Sequence, residues 1–398
     1  MRLAFVSVSD QLGGSEAVLL QLVSELGHSR PSWEIDLIVP GDGPLGARAL
    51  AAGARVHVVP MPPALARIGE WASSGRIVTV AAQMVSALRG LPGYERRFAA
   101  ALRAIAPRVI HSNGFKAHVV SARANVHASR LWHVHEYVSS RAVTRRLLRR
   151  YAPLCDLAVA NSASVARDLE ACAGDRLRQP VKVIHNGVDL DRFTPVGPVV
   201  DLDDACGLPA ASPTTIRVGL VATFSRWKGH EVFLRALATL SRNPAVRGYV
   251  VGGSVYDTTG SQYSLEELRV LASSLGLGTR VGFTGFQTET PAVMRALDVV
   301  VHASTEPEPF GLVIAEAMAC GRAVISSGTG GSAEIIGPGV TALMHPPGDA
   351  DALARTITML AGDRVLRARL GAAAREAAEA RFGARQFGAS FVSAYESL

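Results

Sequence analysis

Two glutamates separated by seven residues are the first candidates for chemistry in this chain. Glu308 and Glu316 flank a segment in which Pro309-Phe310-Gly311 precedes an apolar run. The proline keeps the chain extended, and a helix that begins near Gly311 presents free N–H groups and the positive end of its dipole to an anion. The pattern predicts an anion site with one carboxylate on either side. From the residues alone, a buried helix with one capping and one salt-bridged glutamate is the alternative.

A lysine follows the first predicted strand of the second half of the chain. Lys228 stands after the strand Ile216–Val221 and before the helix Glu231–Leu240, and Arg226 precedes it by two positions. A cation placed just before a helix N-terminus can reach a diphosphate held there. We therefore expect Lys228 to contact phosphate. The alternative is a surface lysine whose stem lies along apolar surface.

Two histidines lie at the carboxyl end of a predicted strand in the first half. Within Leu131–Tyr137, His133 and His135 alternate with other residues and therefore share one face of the strand. Open α/β sheets bind their ligands at this end of the strands. A zinc pair would need a third ligand, which the neighbouring sequence does not offer, so no metal site is expected. A buried, hydrogen-bonded histidine is the alternative for His135.

Short apolar strands alternate with helical patterns along the chain, which predicts an α/β fold with doubly wound parallel sheets. The strands predicted in the first half are Leu3–Val8, Ile35–Val39, Val56–Val59, Val109–His111, Leu131–Val134 and Leu157–Ala160. The helices predicted between them are Glu16–Leu26, Ile77–Arg89, Arg96–Ile105, Ala117–Val126, Ala142–Tyr151 and Ala163–Ala171. The strands predicted in the second half are Ile216–Val221, Gly248–Val251, Val281–Phe283, Val299–His302 and Val324–Ser326. Pro195–Pro213 is the predicted linker.

The segment around the two glutamates is similar to a known family signature. Glu308-Pro-Phe-Gly and Glu316-Ala-Met-Ala resemble the Glu-x7-Glu motif of the retaining glycosyltransferases of family 4. Asn186-Gly-Val-Asp, Lys228-Gly229 and Gly330-Gly331 with Glu334 resemble further motifs of that family. The resemblance therefore covers essentially the whole chain.

This resemblance implies the GT-B fold, in which two Rossmann-like domains face each other across a cleft. The first domain, residues 1–195, would carry the acceptor. The second, residues 196–381, would carry the sugar nucleotide. The C-terminal helix, near residues 382–398, would pack back on the first domain.

The resemblance also implies a role for each candidate residue. Glu316 would bind the ribose hydroxyls, while Glu308 and His135 would bind hydroxyls of the transferred sugar. Lys228 would stabilise the negative charge on the departing diphosphate. Backbone N–H groups at the helix start would assist it, contributed by Phe310, Gly311 and Leu312.

Two turns complete the implied site. Gly13 and Gly14 lie in the loop that would face the donor phosphates and the acceptor, and Phe286 and Gln287 lie in the turn that would meet the nucleobase. The clearest departure from the family pattern is Ala222-Thr223, which stands where Gly-Arg is usual. Arg226 is the candidate to replace the missing arginine.

The implied function is a retaining, metal-independent glycosyltransferase. It would use a UDP- or GDP-sugar, with no further cofactor, and a small-molecule, glycan or lipid-linked hydroxyl acceptor. One alternative is a non-hydrolysing sugar-nucleotide 2-epimerase, which shares the architecture. A second is an inactive sugar-nucleotide-binding subunit, which Thr223 motivates.

The charge of the chain is unevenly distributed. Residues 1–195 hold 24 Lys+Arg against 15 Asp+Glu, whereas residues 196–398 hold 17 against 19. An anionic partner or surface is therefore expected at the first domain, and nucleic acid is not. Arg141–Arg150 predicts a basic amphipathic helix, which is either a solvated face or a peripheral membrane contact. The apolar stretch Trp71–Leu91 is a second candidate surface, for the acceptor.

The remaining composition is typical of a cytoplasmic α/β protein. No apolar run reaches the ~18–20 residues of a membrane span, and Met1–Val8 predicts a first buried strand rather than a signal peptide. The four cysteines are scattered without metal or redox spacing, so we expect reduced thiols.

Overall fold

The structure is a computed structural model that describes residues 1–62, 77–139, 141–240, 245–254 and 260–398. The side chains of residues 77–89 lie outside the described part. The candidate acceptor surface Trp71–Leu91 therefore falls almost wholly outside it.

The chain forms two compact units. The first contains Met1–Gly187 together with Ala384–Leu398, and the second contains Val188–Gly383. The units divide after Gly187, before the boundary at residue 195 that the sequence suggests.

The first unit is built on a seven-stranded parallel sheet with the order β3-β2-β1-β4-β5-β6-β7. Its strands are β1 Arg2–Ser7, β2 Glu34–Val39, β3 Arg55–Val58, β4 Val109–Asn113, β5 Ser129–Val134, β6 Leu157–Ala160 and β7 Lys182–Val183. The central strands are buried on both faces, as expected for a doubly wound sheet, although β4 carries the buried polar residues His111, Ser112 and Asn113.

The helices of the first unit connect these strands. They are α1 Gly14–Ser29, α2 Pro44–Ala51, α3 Ile77–Ile105, α4 Phe115–Arg123, α5 Ala142–Tyr151 and α6 Ala163–Ala173. The two helices predicted at Ile77–Arg89 and Arg96–Ile105 are wrong as separate elements. They form the single helix α3, which contains Pro92. Beyond Pro92, the buried Phe98 and Leu102 place this helix on the core.

The second unit has a six-stranded parallel sheet with the order β10-β9-β8-β11-β12-β13. Its strands are β8 Ile216–Val221, β9 Val246–Val251, β10 Val281–Gly285, β11 Val299–His302, β12 Ala323–Ser326 and β13 Leu343–Met344. Two parallel α/β sheets confirm the fold class predicted from the alternating pattern.

The helices of the second unit are α7 Leu202–Ala205, α8 His230–Thr239, α9 Leu265–Ser274, α10 Thr290–Ala296, α11 Leu312–Ala319, α12 Ser332–Ile335, α13 Ala350–Gly362 and α14 Arg364–Arg381. The short α7 lies within the segment predicted as a linker. It forms because Asp201 caps its N-terminus and Leu202 is buried.

The last helix, α15 Ala384–Glu396, belongs to the first unit. Phe391 and Tyr395 stack edge to face or tilted among the rings of Phe5 and His111. Phe382 instead belongs to the second unit, where its ring meets that of Phe310 at 6.0 Å.

The arginine-rich helix α5 directs Thr144 and Leu148 inward, while Val143 is 66% exposed. Arg149 forms an ion pair with Asp175 on the same unit. No helix in the described ranges is long and apolar enough to cross a membrane.

Candidate functional site

A lysine–glutamate ion pair occupies the carboxyl end of the second sheet. Lys228 Nζ lies 2.7 Å from Glu308 Oε2. Gly229 follows the lysine with φ of +77°, and a Cβ there would lie 1.9 Å from the carbonyl oxygen of Ala303. Only glycine therefore allows the chain to turn into α8 at this point and leave Lys228 beside Glu308.

Glu308 is fixed by further polar groups that the sequence analysis missed. His302 Nε2 lies 3.1 Å from Glu308 Oε2, and the Ser304 hydroxyl donates to the same oxygen at 3.0 Å. Burial alone would raise the pKa of Glu308, but Lys228 and His302 hold it below its usual range. The carboxylate is therefore ionised at neutral pH. The position of His302 at the end of a predicted strand was the available signal.

His302 is itself oriented from its other side. Its Nδ1 lies 3.2 Å from the Ser326 hydroxyl, which accepts a hydrogen bond from the N–H of Gly328. Because a carboxylate can only accept, His302 donates to Glu308 through Nε2. A chain of hydrogen bonds therefore links the glycine-rich turn after β12 to Glu308.

The helix α11 begins as the proline–glycine pattern predicts. Gly311 adopts φ of +93°, where an L side chain is strained, and no side chain caps the helix. The ring of Phe310 is buried in the core of the second unit. Gly311 and Leu312 form the uncapped first turn, where N–H groups without helical partners can bind an anion.

Glu316 lies in the middle of α11 and is half-buried. Its carboxylate has no hydrogen bond or ion pair with any residue that the structure describes. Burial raises the pKa of Glu316 to about 8, with a smaller opposing effect from Arg192. A poorly solvated carboxylate without donors is a group that a ligand can satisfy.

Arg226 is engaged within its own surroundings. Its Nη2 donates to Glu267 Oε1 at 2.8 Å, and its Nε donates to the carbonyl oxygen of Gly260. Its guanidinium carbon lies 4.2 Å from the centroid of the Tyr263 ring. Thr223, at the departing position, lies 3.3 Å from the Ser225 hydroxyl. Replacing the missing arginine would require Arg226 to leave these partners.

The turn after β10 carries an exposed aromatic ring. Phe286 is 63% exposed, although it stands next to buried strands. Gln287 donates to the carbonyl oxygen of Thr284 at 3.2 Å, which closes the turn. The ring is thus accessible to solvent and is not part of the core.

In the first unit, the loop between β1 and α1 is stabilised from within. The N–H of Gly13 donates to the Glu16 carboxylate at 3.2 Å, as does the Ser15 hydroxyl at 3.0 Å. The N–H of Gly13 is therefore already used in the protein. A Cβ on Gly14 would meet no atom within 4 Å, so the fold itself does not require glycine there.

His135 follows β5 in the first unit and is partly exposed. Its Nε2 lies 2.6 Å from Asn113 Oδ1, and Asn113 Nδ2 donates to the carbonyl oxygen of Ser15 at 3.4 Å. Burial lowers the pKa of His135 to about 3. Asn113 thus connects the predicted histidine with the glycine loop, a contact that sequence spacing did not reveal.

His133 lies behind His135 in the core of the first unit. The two rings are 3.9 Å apart, and His133 Nδ1 lies 3.2 Å from His111 Nε2. Burial holds the pKa values of His133 and His111 well below the usual range, with smaller effects from neighbouring histidines. Both rings are neutral at pH 7.

The candidate residues therefore form one group in each unit. Lys228 and Glu308 contact each other in the second unit, and Glu308 lies just before the start of α11. His135 is brought to the Gly13–Ser15 loop in the first unit. Within the described ranges, no group of three His, Cys, Asp or Glu side chains could hold a metal ion. Asp189 Oδ1 accepts hydrogen bonds from the backbone N–H groups of Asp191 and Arg192, so Asp189 and Asp191 belong to a turn.

Comparison with known protein families identifies both halves of the chain. Residues 12–192 match Glycosyltransferase Family 4, and residues 210–377 match Glycosyl transferases group 1. The chain belongs to the family 4 glycosyltransferases. The predicted membership of family 4 is thereby confirmed.

Curated relatives of this family 4 protein share part of its sequence. The D-inositol 3-phosphate glycosyltransferase of Xylanimonas cellulosilytica is 35% identical over 248 residues, 60% of this chain and 56% of the relative. The lipopolysaccharide core biosynthesis glycosyltransferase LpsE of Rhizobium meliloti is 32% identical over 216 residues, 54% of this chain and 56% of LpsE. The chain spans about half the length of the curated relatives it matches.

Solved structures extend the likeness over the whole family 4 chain. HepE of Anabaena in complex with UDP and glucose is 26% identical, with a TM-score of 0.81 and full coverage of both chains. Sucrose-phosphate synthase from Thermosynechococcus elongatus has a TM-score of 0.79 at 24% identity, covering 100% of this chain and 98% of the synthase. Together with the two parallel α/β sheets, these likenesses confirm the GT-B fold.

Proposed function

We propose that this chain is a retaining, metal-independent glycosyltransferase that moves a sugar from a UDP- or GDP-sugar to a hydroxyl acceptor. The observation that carries the proposal is the half-buried carboxylate of Glu316, which has no hydrogen-bond donor among the described residues. Ribose hydroxyls would supply the missing donors. Hydrogen bonds to this carboxylate contribute more than they would in water, because without them the buried carboxyl group has no donors.

The pair of Lys228 and Glu308 supports the same donor. In the ligand-free protein each side chain neutralises the other at 2.7 Å. A bound sugar nucleotide would offer Lys228 a diphosphate and would offer Glu308 sugar hydroxyls. The uncapped start of α11 at Gly311 would add N–H groups to the same phosphates. Negative charge that grows on the diphosphate would then be stabilised by groups already in place.

Retention is proposed from the resemblance to the retaining family 4 enzymes, and the contacts of Glu308 bear on the route by which it would occur. A double displacement needs a carboxylate that attacks the anomeric carbon from the face opposite the leaving group. Glu308 Oε2 is instead held by Lys228, His302 and Ser304. We therefore favour attack on the same face. The anomeric C–O bond to the diphosphate breaks, the acceptor oxygen bonds to the anomeric carbon, and the acceptor proton passes to the departing phosphate oxygen.

The choice of donor and acceptor draws on relatives. HepE is known in complexes with UDP and with UDP-glucose, which favours a uridine donor. Relatives named for D-inositol 3-phosphate and for lipopolysaccharide core favour a phosphorylated or glycan hydroxyl acceptor. The excess of basic residues in positions 1–195 is compatible with a phosphorylated acceptor.

Nucleotide binding and turnover test the proposal in two steps. Thermal-shift screening of UDP-, GDP- and ADP-sugars should reveal one base whose nucleotide diphosphate also binds in calorimetry. Release of that diphosphate should then require an acceptor hydroxyl. Epimerisation of the donor without an acceptor would favour the 2-epimerase. Binding without turnover for all acceptors would favour an inactive subunit.

Membrane contact through α5 is a secondary proposal. Val143 is exposed beside Arg145, Arg146 and Arg150, which would suit an anionic lipid surface. Co-sedimentation with anionic and neutral vesicles at two salt concentrations tests it. Salt-sensitive binding that is lost on replacing Arg145, Arg146, Arg149 and Arg150 together would support it, and binding to neither vesicle would contradict it.

A further inference from the structure

An asparagine that the proposed chemistry does not use contacts His135. Asn113 is the last residue of β4, is 3% exposed and contacts two groups at the carboxyl end of the first sheet. Its Oδ1 lies 2.6 Å from His135 Nε2, and its Nδ2 lies 3.4 Å from the carbonyl oxygen of Ser15. One amide group therefore holds the histidine and the glycine loop together.

The direction of these hydrogen bonds follows from the chemistry of the partners. The carbonyl oxygen of Ser15 can only accept, so the amide nitrogen of Asn113 faces it. The amide oxygen then faces His135, and it too can only accept. His135 must therefore donate through Nε2. A neutral imidazole has one N–H, so Nδ1 is left with a lone pair.

The lone pair of His135 has no protein partner in the described part of the chain. His135 is partly exposed, and its one side-chain hydrogen bond there is the bond to Asn113. The His133 ring packs against it, and the His111 and His118 rings interact with it electrostatically; burial lowers the pKa values of all three. None of these rings brings a negative charge that would favour a second proton on His135.

We propose that Asn113 is a positioning residue that fixes the proton of His135 on Nε2, so that Nδ1 accepts a hydrogen bond from a substrate hydroxyl. This inference rests on the proposed function, because a sugar nucleotide or its acceptor supplies the hydroxyl. It adds a rule of specificity. The hydroxyl at this position must donate, so a fluorine in its place, which cannot donate, loses the contact.

The position of the proton can be measured in the free protein. In spectra of ¹⁵N-histidine-labelled protein, His135, assigned with the variant His135→Gln, should be protonated on Nε2 from pH 5 to 8. Asn113→Asp keeps an acceptor of the same shape and adds a negative charge, so the pKa of His135 should rise. Protonation of His135 on Nδ1 in the unmodified protein, or an unchanged pKa in Asn113→Asp, would overturn the inference.

Kinetics separate positioning from a merely structural role. Asn113→Leu should lower kcat/KM about tenfold, the effect expected for one hydrogen bond. It should have no further effect in a His135→Ala background, whereas a structural defect would persist there. An equal loss in both backgrounds would overturn the inference.

Modified donors and acceptors identify the hydroxyl. In a series of sugar nucleotides and acceptors that each carry fluorine in place of one hydroxyl, one compound should be as poor a substrate as its deoxy counterpart. His135→Ala should not lower activity on that compound any further. If fluorine preserves activity at every position where His135 matters, Nδ1 does not accept. If no sugar nucleotide is turned over, the proposed function fails, while the spectra still decide the tautomer.

Discussion

Lys228 Nζ lies 2.7 Å from Glu308 Oε2, so the cation proposed for the diphosphate and the carboxylate proposed for the sugar are partners before any ligand binds. The pair is only slightly exposed, with 18% of the lysine side chain and 9% of the glutamate side chain accessible. Its burial means that removing one partner leaves the other charge poorly solvated. Both substitutions are therefore expected to have effects beyond the loss of a surface contact.

Lys228→Ala should lower kcat more than it weakens donor binding. The diphosphate gains charge towards the transition state, and the loss of one such cation is expected to cost ~10²-fold in kcat. Single-turnover kinetics with calorimetric donor affinities would measure both quantities. Lys182→Ala is the matched control, because Lys182 lies exposed on β7 in the other unit. A near-normal kcat for Lys228→Ala would remove this lysine from the mechanism.

Glu308→Gln should destabilise the protein in a pH-dependent way. The pKa of Glu308 is held below its usual range in the folded state, so its ionised form stabilises the fold above the unfolded-state pKa. This contribution is lost as the pH falls below the ordinary carboxyl range towards the folded-state pKa. The difference in Tm between Glu308→Gln and the unmodified protein should therefore shrink from pH 7 to pH 3.5. A constant difference would contradict the ionised pair.

Glu316 should make binding of the sugar nucleotide depend on pH. Burial raises the pKa of Glu316 to about 8, so the free protein carries a protonated group at pH 6.5. Ribose hydroxyls prefer the ionised form, so binding should release a proton and affinity should rise between pH 6.5 and pH 8.5. Calorimetry of UDP-glucose in buffers of different ionisation enthalpy measures the proton directly.

Glu316→Gln is the control for this measurement. It keeps the size of the side chain but cannot titrate, so the pH dependence should disappear and the affinity should fall by a factor that corresponds to ~1–3 kcal/mol. Unchanged affinity in Glu316→Gln would rule out the ribose assignment.

Arg226 is expected to act through Glu267 and Tyr263 rather than on the diphosphate. Arg226→Ala and Glu267→Ala should have similar small effects on activity, and the double variant should add little to either one. Thr223→Arg restores the residue type that is usual in the family and should raise activity if the contact is simply missing here. A large loss of kcat in Arg226→Ala alone would show instead that this arginine replaces it.

The fold could be predicted from the sequence because strand patterns in a parallel sheet are local. Leu157–Ala160 and Val299–His302 were predicted with the bounds that the structure has, since each is a short apolar run between turns. The continuity of α3 through Pro92 was not predicted. Pro92 predicts a break in the helix, but the burial of Phe98 and Leu102 favours a continuous helix.

Only those site residues that lie close together in the sequence could be predicted as a group. The Gly311 turn and the two glutamates follow from spacing within one segment. The partners of these groups come from other strands, as His302 does for Glu308 and Asn113 does for His135. Such contacts depend on which strands are neighbours in the sheet. A single sequence predicts that there will be a sheet more readily than it predicts the order of its strands.

The stereochemistry of transfer tests the central proposal most directly. An α-linked UDP-sugar, an acceptor and EDTA should be incubated with the protein, and the anomeric configuration of the product should be read by ¹H NMR while UDP release is followed. We expect an α-linked product and UDP release that depends on the acceptor and is insensitive to EDTA. A β-linked product, or activity lost in EDTA and restored by Mg²⁺ or Mn²⁺, would contradict retaining, metal-independent glycosyl transfer.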